Sequence, residues 1–314
     1  MALGIREAES RTSLWVTGAT GFIGHALLAA WQSRPDWELH AVSLRRTSVE
    51  ELNGPVDAVL HLAGLAHRMG GAPDSEYQRV NVALTLALAR RAKALGARQF
   101  LFVSTVKVYG ESSPPGFPLT EKSPCQPLDA YGHSKAEAEE GLQSLADETF
   151  AVTVLRIPLV CGPGVKGNLR RLIGLVRKVP LLPLGRIENR RNLLTFATLR
   201  QALEQLIESR MGGTFLIADH PALSTSELVM RIGRASGRVP LLLPLPLWLR
   251  QLAEVWRPAL ANRLFGSLEL DDSSTRARLG MSEPDVDLLE DAIAGMVRAS
   301  QTSPGEGGES GGSG

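Results

Sequence analysis

The fold is decided by the stretch Leu14-Trp15-Val16-Thr17-Gly18-Ala19-Thr20-Gly21-Phe22-Ile23-Gly24-His25-Ala26-Leu27-Leu28. It predicts a short apolar strand, a glycine turn and a helix that follows at once. Gly18 permits a sharp turn, Gly21 lets backbone amides approach a pyrophosphate, and Gly24 lets the helix pack close to the sheet. The free N–H groups at that helix N-terminus suit phosphate groups. A glycine turn alone is also found in ordinary strand-to-helix connections, but the flanking strand and helix favour a dinucleotide site with contacts from Gly18, Thr20, Gly21, Phe22 and Ile23.

Composition excludes several classes of protein. The chain has 314 residues, 44% of them hydrophobic, and a formal net charge of +1. That length allows one large domain with a smaller lobe, and the charge does not indicate nucleic acid or an anionic membrane as the main partner. The two cysteines, Cys125 and Cys161, lie far apart and in no metal-ligand spacing, so we expect no metal site and a cytoplasmic location.

The two ends of the chain and one apolar segment differ from the rest of the sequence. Residues 1–12 and 301–314 are polar and unpatterned, so we expect flexible tails. No run is long enough to span a bilayer, so we expect no integral membrane segment. The segment Val239 to Leu249 is very apolar but contains three prolines. It predicts a buried part of the smaller lobe, with loose membrane contact as the alternative.

The second strand, predicted from Trp37 to Leu44, ends without the usual acidic residue. Arg45 and Arg46 stand there instead, and two guanidinium groups suit a 2′-phosphate. This favours NADP(H), while NAD(H) stays possible and the alternative is a solvated basic loop. The next strand, residues 56–64, begins too soon for a strand and helix to fit between, so we predict a sheet without the usual outer strand.

Further elements of the predicted sheet place polar groups beside the glycine turn. Leu62, Ala63 and Gly64 end the third strand, where the chain should pass under the cofactor phosphates. His61 alternates with apolar residues, which favours a hydrogen-bonded core histidine over a ligand. Asn81 lies in a predicted helix, Ser75 to Leu95, where a structural hydrogen-bonding role beside the cofactor is favoured over a surface position.

We predict the catalytic residues near the end of the next buried strand, where two side chains carry hydroxyl groups. Residues 100–105 form that strand, and ligand sites lie at the carboxyl ends of parallel strands. Further along, Tyr131 and Lys135 are four residues apart, which places them on one face of a helix. The ammonium should then favour the ionised phenol, so that Tyr131 exchanges a proton while Thr105 binds the reacting oxygen. Such a pair is often only a helix start, but Tyr77 and Tyr109 lack a lysine at this offset.

These motifs together resemble the extended short-chain dehydrogenase/reductase family. The resemblance rests on the glycine turn, on His61 to Gly64, on Ser104-Thr105 with Val108 to Gly110, on Tyr131 to Lys135, on Arg156 to Asn168 and on Arg191 to Leu194. It implies an α/β fold, a Rossmann-type doubly wound parallel sheet with a smaller C-terminal substrate lobe. The expected domains are residues 13–160 for NADP(H), with a return segment at about 190–218, and 161–189 with 219–298 for substrate.

The resemblance also implies roles for individual residues. The catalytic residues are Thr105, Tyr131 and Lys135, and Pro158 and Asn81 join the cofactor contacts already named. Expected substrate contacts are Ser104, Thr105, Lys107, Asn168 and Arg191, with Arg191 on the diphosphate and Arg190 as its alternative. Members of the family pair through helices that correspond to Ser75–Leu95 and Ala136–Leu145, so we expect a homodimer.

Within the family the sequence is most similar to bacterial enzymes acting at C4 of UDP-N-acetyl-6-deoxyhexosamines in surface polysaccharide synthesis. Dehydratases of the family carry an Asp-Glu pair where this chain has Val106 and Lys107, so dehydration is not expected. Arg45 and Arg46 favour exchangeable NADPH, and hence reduction of the C4 keto group of a UDP-4-keto-6-deoxy-N-acetylhexosamine. The alternatives are a 4-epimerase that retains NAD and, from another class, a non-catalytic NADP-binding regulator.

Overall fold

A computed structural model describes residues 11–65, 72–246, 248, 251, 255–256, 258–283 and 285–302. Its centre is a six-stranded sheet in which every neighbouring pair of strands is parallel. The strands are β1 (Thr12–Thr17), β2 (Trp37–Val42), β3 (Ala58–His61), β4 (Gln99–Thr105), β5 (Ala151–Ile157), β6 (Leu159–Cys161), β7 (Leu181–Gly185), β8 (Leu193–Thr195), β9 (Gly213–Leu216) and β10 (Leu241–Pro244).

The order across the sheet is β2-β1-β3-β4-β5-β9. In the described part of the chain no strand lies beyond β2, which confirms the predicted loss of the usual outer strand. The order reverses between β1 and β3, and ligands bind at such switch points in open parallel sheets. The register pairs Ser104 of β4 with Arg156 of β5, and this places two polar side chains beside the expected catalytic centre.

Helices cover both faces of the sheet. They are α1 (Phe22–Trp31), α2 (Asp74–Tyr77), a π-helical segment (Gln78–Ala83), α3 (Leu84–Ala94), a 3₁₀ turn (Val106–Tyr109), α4 (Ala130–Gln143), α5 (Gly167–Lys178), α6 (Phe196–Ser209), α7 (Thr225–Ala235), α8 (Pro258–Phe265), α9 (Ser273–Leu279) and α10 (Val286–Thr302). None of them, within the described ranges, is long and apolar enough to cross a membrane.

Two hydrophobic layers hold these helices to the sheet. Leu27 of α1 and Leu203 of α6 pack on one face, while Leu88 of α3 and Leu142 of α4 pack on the other. Strand residues supply both layers because successive side chains point to opposite faces. The doubly wound α/β fold that the sequence predicts is therefore confirmed.

A smaller lobe has its own core. Ile173 of α5, Ile232 of α7 and Ile293 of α10 are buried together. Helix α7 begins at the predicted capping box, in which Ser224 accepts from the N–H of Glu227 and the Glu227 carboxylate accepts from the N–H of Ser224. This lobe faces the carboxyl edge of the sheet through β6 and β8, which pair with each other.

Several boundaries differ from those expected. Thr12, expected in the N-terminal tail, begins β1 because its N–H donates to the carbonyl of Asp36, and α10 continues to Thr302. Residues 1–10 and 303–314 of the expected tails lie outside the described part, as do parts of the segment from Val239 to Leu249. That segment was expected to be buried, but Val239, Leu241 and Leu243 are exposed. The expectation was wrong because one face of the β7–β10 sheet packs on the core of the lobe, through Leu182, Leu184 and Leu242, so the alternate side chains of β10 face solvent.

Candidate active site

Glycine is required at two positions of the turn after β1. Gly18 has a φ of +70°, and a Cβ there would lie 2.8 Å from the amide nitrogen of Ala63. A Cβ on Gly24 would lie 2.4 Å from the carbonyl oxygen of Gly18. The predicted need for glycine at both positions is confirmed, since any side chain would separate the turn from β3 or from α1.

The N-terminus of α1 fits a phosphate group. Gly21 is the residue before the helix, no side chain caps its first turn, and that turn contains no acidic residue. The N–H groups of the first turn therefore have no side-chain acceptor. The close approach of Gly18 to the chain after β3 forms a cradle that a Cβ would fill. These features suit the pyrophosphate of a dinucleotide, and individual contacts from Thr20, Phe22 and Ile23 stay predictions.

Arg45 and Arg46 lie in the turn after β2. The N–H of Arg46 donates to the carbonyl of Ser43 over 3.0 Å, which shapes the turn. Both arginines are exposed, and neither guanidinium has an ion pair or hydrogen bond within the described part of the chain. Because β2 forms the edge of the sheet, an anionic group can approach them from solvent.

His61 links the ends of β1 and β3 to α3. Its Nδ1 lies 2.8 Å from the Thr17 hydroxyl, and its Nε2 lies 2.9 Å from the Thr85 hydroxyl. The N–H of Ala63 donates to the same Thr17 oxygen over 3.2 Å. Burial, with the charge of Lys135, lowers the His61 pKa to about 3. The prediction of a hydrogen-bonded core histidine is confirmed.

Asn81 ties the chain after β3 to the catalytic helix. Its Oδ1 accepts from the N–H of Leu65 over 2.7 Å, and its Nδ2 donates to the Leu65 carbonyl and to the Ser134 hydroxyl. The side chain is 1% exposed and lies in the π-helical segment that interrupts the predicted helix from Ser75 to Leu95. This confirms its structural role. Direct cofactor contact by Asn81, Leu62, Ala63 or Gly64 stays a prediction.

Helix α4 begins before the catalytic tyrosine, at Ala130, whereas the sequence predicted a start at Ala136. Asp129 causes this, because its carboxylate accepts from the N–H of Gly132 over 2.7 Å and caps the helix. Tyr131 therefore stands in the first turn. Thr105, from the end of β4, lies near its phenol and acts to lower the pKa of Tyr131, and Lys135 follows one turn later on the same helix. The structure thus brings the three predicted catalytic residues together.

The electrostatics of Tyr131 differ from the prediction. Burial raises its pKa to about 12, and the nearby Thr105 hydroxyl only partly opposes this. The Lys135 ammonium does not lower it, because Nζ donates to the Val103 carbonyl over 2.7 Å and lies 3.6 Å from the centre of the Phe102 ring. Burial lowers the pKa of Lys135 itself to about 7, against the charge of Glu139. The phenol is therefore protonated at neutral pH.

A buried ion pair lies beneath these residues and was not predicted. Arg156 of β5 donates from Nη2 to the Glu139 carboxylate over 2.6 Å, and the same carboxylate accepts a short hydrogen bond from Ser104. Arg156 also donates to the Tyr109 hydroxyl over 3.0 Å and contacts the Cys125 sulfur. Arg156 is the one charged residue of the buried strand β5, a signal that could have revealed the pair, since buried charges need partners.

Two of the expected substrate contacts bind carboxylates of the chain itself. The Ser104 hydroxyl donates to Glu139. The Lys107 ammonium forms ion pairs with Glu111, over 2.8 Å, and with Asp129, the cap of α4. These contacts hold the catalytic strand and helix together. Substrate contact by Ser104 or Lys107 stays a prediction.

The other expected contacts lie on the lobe side of the site. Asn168 is exposed in the first turn of α5. Arg191 donates from Nη1 to the carbonyls of Asn262 and Gly266 over 3.2 and 3.0 Å. Pro158 joins β5 to β6, where the chain leaves the central sheet. The contacts of these residues with cofactor or substrate stay predictions.

Comparison with known proteins gives one family and a related enzyme of nearly the same length. The model of the NAD dependent epimerase/dehydratase family matches residues 14–217. The UDP-glucose 4-epimerase of Vibrio cholerae is 33% identical over 298 residues, which cover 87% of this chain and 91% of that protein.

Two solved structures resemble the fold. The UDP-glucuronic acid 4-epimerase from Bacillus cereus, in complex with NAD, has a TM-score of 0.73 at 20% identity and covers 92% of this chain and 99% of its own. RMD from Pseudomonas aeruginosa, complexed with NADPH, has a TM-score of 0.73 at 20% identity, with 93% and 100% covered. One holds NAD and the other NADPH, so the fold does not select between the two cofactors.

Proposed function

Because the chain belongs to the NAD dependent epimerase/dehydratase family, whose members are NAD(P)-dependent enzymes, we propose that it transfers a hydride and a proton at C4 of a UDP-linked sugar. The observation that carries this proposal is the position of Thr105 beside the Tyr131 phenol at the carboxyl edge of the sheet, with Lys135 one turn along α4. The nicotinamide, when bound, supplies or accepts the hydride. Tyr131 then exchanges a proton with the C4 oxygen, and Thr105 hydrogen-bonds the same oxygen.

The protonation state of Tyr131 supports reduction. A phenol with a pKa of about 12 carries its proton at neutral pH, so it is ready to donate to a ketone oxygen. Lys135, whose pKa burial lowers to about 7, stands one turn along the same helix. We therefore favour reduction of the C4 keto group over oxidation of the alcohol as the net reaction.

Arg45 and Arg46 support NADPH as the reductant. Their guanidinium groups are exposed at the end of β2, where NAD-binding domains carry an acidic residue for the ribose. The arginine guanidinium forms bidentate hydrogen bonds with phosphate oxygens. The proposed reaction is NADPH-dependent reduction of a UDP-4-keto-6-deoxy-N-acetylhexosamine, with Asn168 and Arg191 proposed to contact the sugar diphosphate.

The test follows the absorbance of NADPH or NADH during incubation with UDP-4-keto-6-deoxy-N-acetylglucosamine, and then identifies the sugar by NMR. We expect loss of NADPH in step with a new C4 alcohol. Tyr131→Phe should lower the rate by about 10² to 10⁴-fold. Tyr77→Phe is the matched control, since Tyr77 is buried near Tyr131 but has no assigned role. Equal rates for wild type and Tyr131→Phe would refute the proposed proton donor.

A second candidate function is 4-epimerisation with a retained cofactor. The relative from Vibrio cholerae, matched over nearly its whole length, supports it. An epimerase would interconvert UDP-hexoses or UDP-N-acetylhexosamines without net consumption of NADPH. If neither conversion occurs while NADP still binds, a non-catalytic NADP-binding regulator becomes the better description.

We also propose that the protein is a homodimer that pairs through α3 and α4. These helices lie side by side, and a Cβ on Gly141 of α4 would come within 2.9 Å of the Leu86 side chain, so they present one continuous surface. A light-scattering mass of one chain would refute this pairing.

A further inference from the structure

One face of the substrate lobe carries exposed aliphatic side chains. Strands β7 and β10 form a two-stranded parallel sheet in which Leu241 lies opposite Leu181. Leu182 and Leu184 point into the core of the lobe, so the alternate residues point outward. Leu241 is 62% exposed, Val239 50% and Leu243 40%. We name Leu181, Val239, Leu241 and Leu243 the aliphatic ridge.

Four cations border one end of the aliphatic ridge. Arg177 and Lys178 end α5 just before β7, while Arg234 and Arg238 stand at the end of α7 just before β10. A hydrogen bond of 3.2 Å from the Arg238 guanidinium to the Arg177 carbonyl joins the two groups. All four side chains are exposed, and none pairs with a carboxylate among the described residues. The net charge of +1 for the whole chain conceals this local excess.

We propose that the aliphatic ridge and its four cations dock on the surface of an anionic lipid bilayer. Exposed leucine and valine side chains gain free energy by entering the boundary between headgroups and acyl chains. Arginine and lysine beside them lie at the level of the lipid phosphates, where each contributes about fivefold in affinity. The charges and the apolar residues thus favour the same occupant.

The residues of this face disfavour two kinds of protein contact, a symmetric dimer and an added β-strand. A second copy bound symmetrically would bring two cationic ends onto the same contact surface, which costs free energy. An added β-strand would need N–H donors along the edge of β10, but Pro240 and Pro244 have none. A lipid surface has neither difficulty.

The chain continues the apolar character after β10. Trp248 is 64% exposed and Trp256 76% exposed. Tryptophan is favoured at membrane interfaces, where its ring meets headgroups and its N–H stays hydrated. These two residues provide an optical signal, because insertion into the interface would shift their fluorescence emission to shorter wavelength.

The test is flotation of the full chain with vesicles of phosphatidylcholine alone and with vesicles in which about a third of the lipid is phosphatidylglycerol. We expect binding to the anionic vesicles, weakened by salt, and little binding to the neutral ones. Arg234→Glu with Arg238→Glu should lower the affinity by about thirtyfold or more. Leu241→Ser with Leu243→Ser should lower it by roughly tenfold.

The controls are matched substitutions on α10, outside the ridge. Leu288→Ser removes an exposed leucine and Arg298→Glu reverses an exposed arginine, and both should leave vesicle binding unchanged. Turnover of a UDP-sugar in solution should be unaffected by the ridge variants, so this proposal and the proposed reaction fail separately. Absence of wild-type binding, or equal binding to both vesicles, would overturn the proposal. A fall in light-scattering mass caused by the ridge variants would instead identify the ridge as a contact between copies.

Discussion

At the floor of the site, Ser104, Glu139 and Arg156 satisfy one another inside the protein, whereas at its rim Arg45 and Arg46 extend into solvent with no partner in the described part of the chain. By the floor we mean the buried polar residues around the catalytic Tyr131, namely Thr17, His61, Asn81, Ser104, Lys135, Glu139 and Arg156. By the rim we mean Arg45, Arg46 and Asn168.

The floor and the rim therefore have different roles. The floor fixes the ends of β1, β3, β4 and β5 and the start of α4 before any ligand is present, so the catalytic geometry is a product of folding. The rim leaves its polar groups available for cofactor and substrate. Substitutions in the floor should therefore cost stability as well as activity, and substitutions in the rim should cost binding alone.

The largest effect is expected from Glu139→Gln. Removing this carboxylate leaves the Arg156 guanidinium buried without its counterion, which should lower the free energy of unfolding by about 3 to 5 kcal/mol and also lower kcat. Urea unfolding measures the first effect and steady-state kinetics the second. Glu140→Gln is the matched control, since Glu140 is the next residue but is exposed.

The double variant Glu139→Leu with Arg156→Met sharpens this test. Apolar replacement of both partners of a buried ion pair is often neutral or stabilising, so unfolding stability should recover relative to Glu139→Gln. If the pair positions β4 against α4, activity should stay low. If the double variant recovers full activity as well as stability, the ion pair contributes to packing and does not position β4 against α4.

A second effect should appear in acid, through His61. Its folded pKa is about 3, below the unfolded value near 6.5, so the unfolded chain binds the extra proton between these two pH values. Stability should therefore fall as the pH falls below about 6.5, by about 3 kcal/mol at about pH 4. The free energy of unfolding of His61→Gln, measured with urea at neutral and at acid pH, should not show this loss. An identical loss in both proteins would assign acid sensitivity to other groups.

A smaller loss of stability is expected for Asn81→Ala. It leaves the buried backbone groups of Leu65 without their partner, at a cost of about 1 to 3 kcal/mol, and frees the chain after β3 to move. We expect weaker cofactor binding together with the lower unfolding free energy. Asn53→Ala, at an exposed asparagine, should change stability by no more than about 0.5 kcal/mol.

The floor and the rim also differ in what could be predicted from the sequence. Gly18 and Gly24, and the spacing of Tyr131 and Lys135, are local patterns whose geometry follows from the backbone, and His61 follows from strand alternation. The Glu139–Arg156 pair joins a helix to a strand and depends on register between β4 and β5, which no local pattern fixes. The Tyr131 pKa was mispredicted for the same reason, because burial and the direction of the Lys135 side chain are tertiary properties.

The exposure of Val239, Leu241 and Leu243 was missed on similar grounds. An apolar run predicts burial only when both faces of the strand are covered, and the β7–β10 sheet packs on the core of the lobe through one face, that of Leu182, Leu184 and Leu242. At the rim, by contrast, the arginines were identified from sequence. Their ligand, predicted to be the 2′-phosphate of NADP(H), stays a prediction, because the fold places no partner beside these exposed groups that would identify it.

The smallest effect on stability is expected at the rim. Arg45→Ala and Arg46→Ala should each change the unfolding free energy by no more than about 0.5 kcal/mol, yet each should weaken NADPH binding by about tenfold or more, since a charge-assisted hydrogen bond to phosphate contributes about 1.5 to 3 kcal/mol. Binding of NADH should be unchanged, as it has no 2′-phosphate. Arg298→Ala controls for the loss of a surface charge. Equal affinities for both cofactors, in wild type and variants alike, would make this turn a solvated basic loop and would favour the 4-epimerase over the reductase.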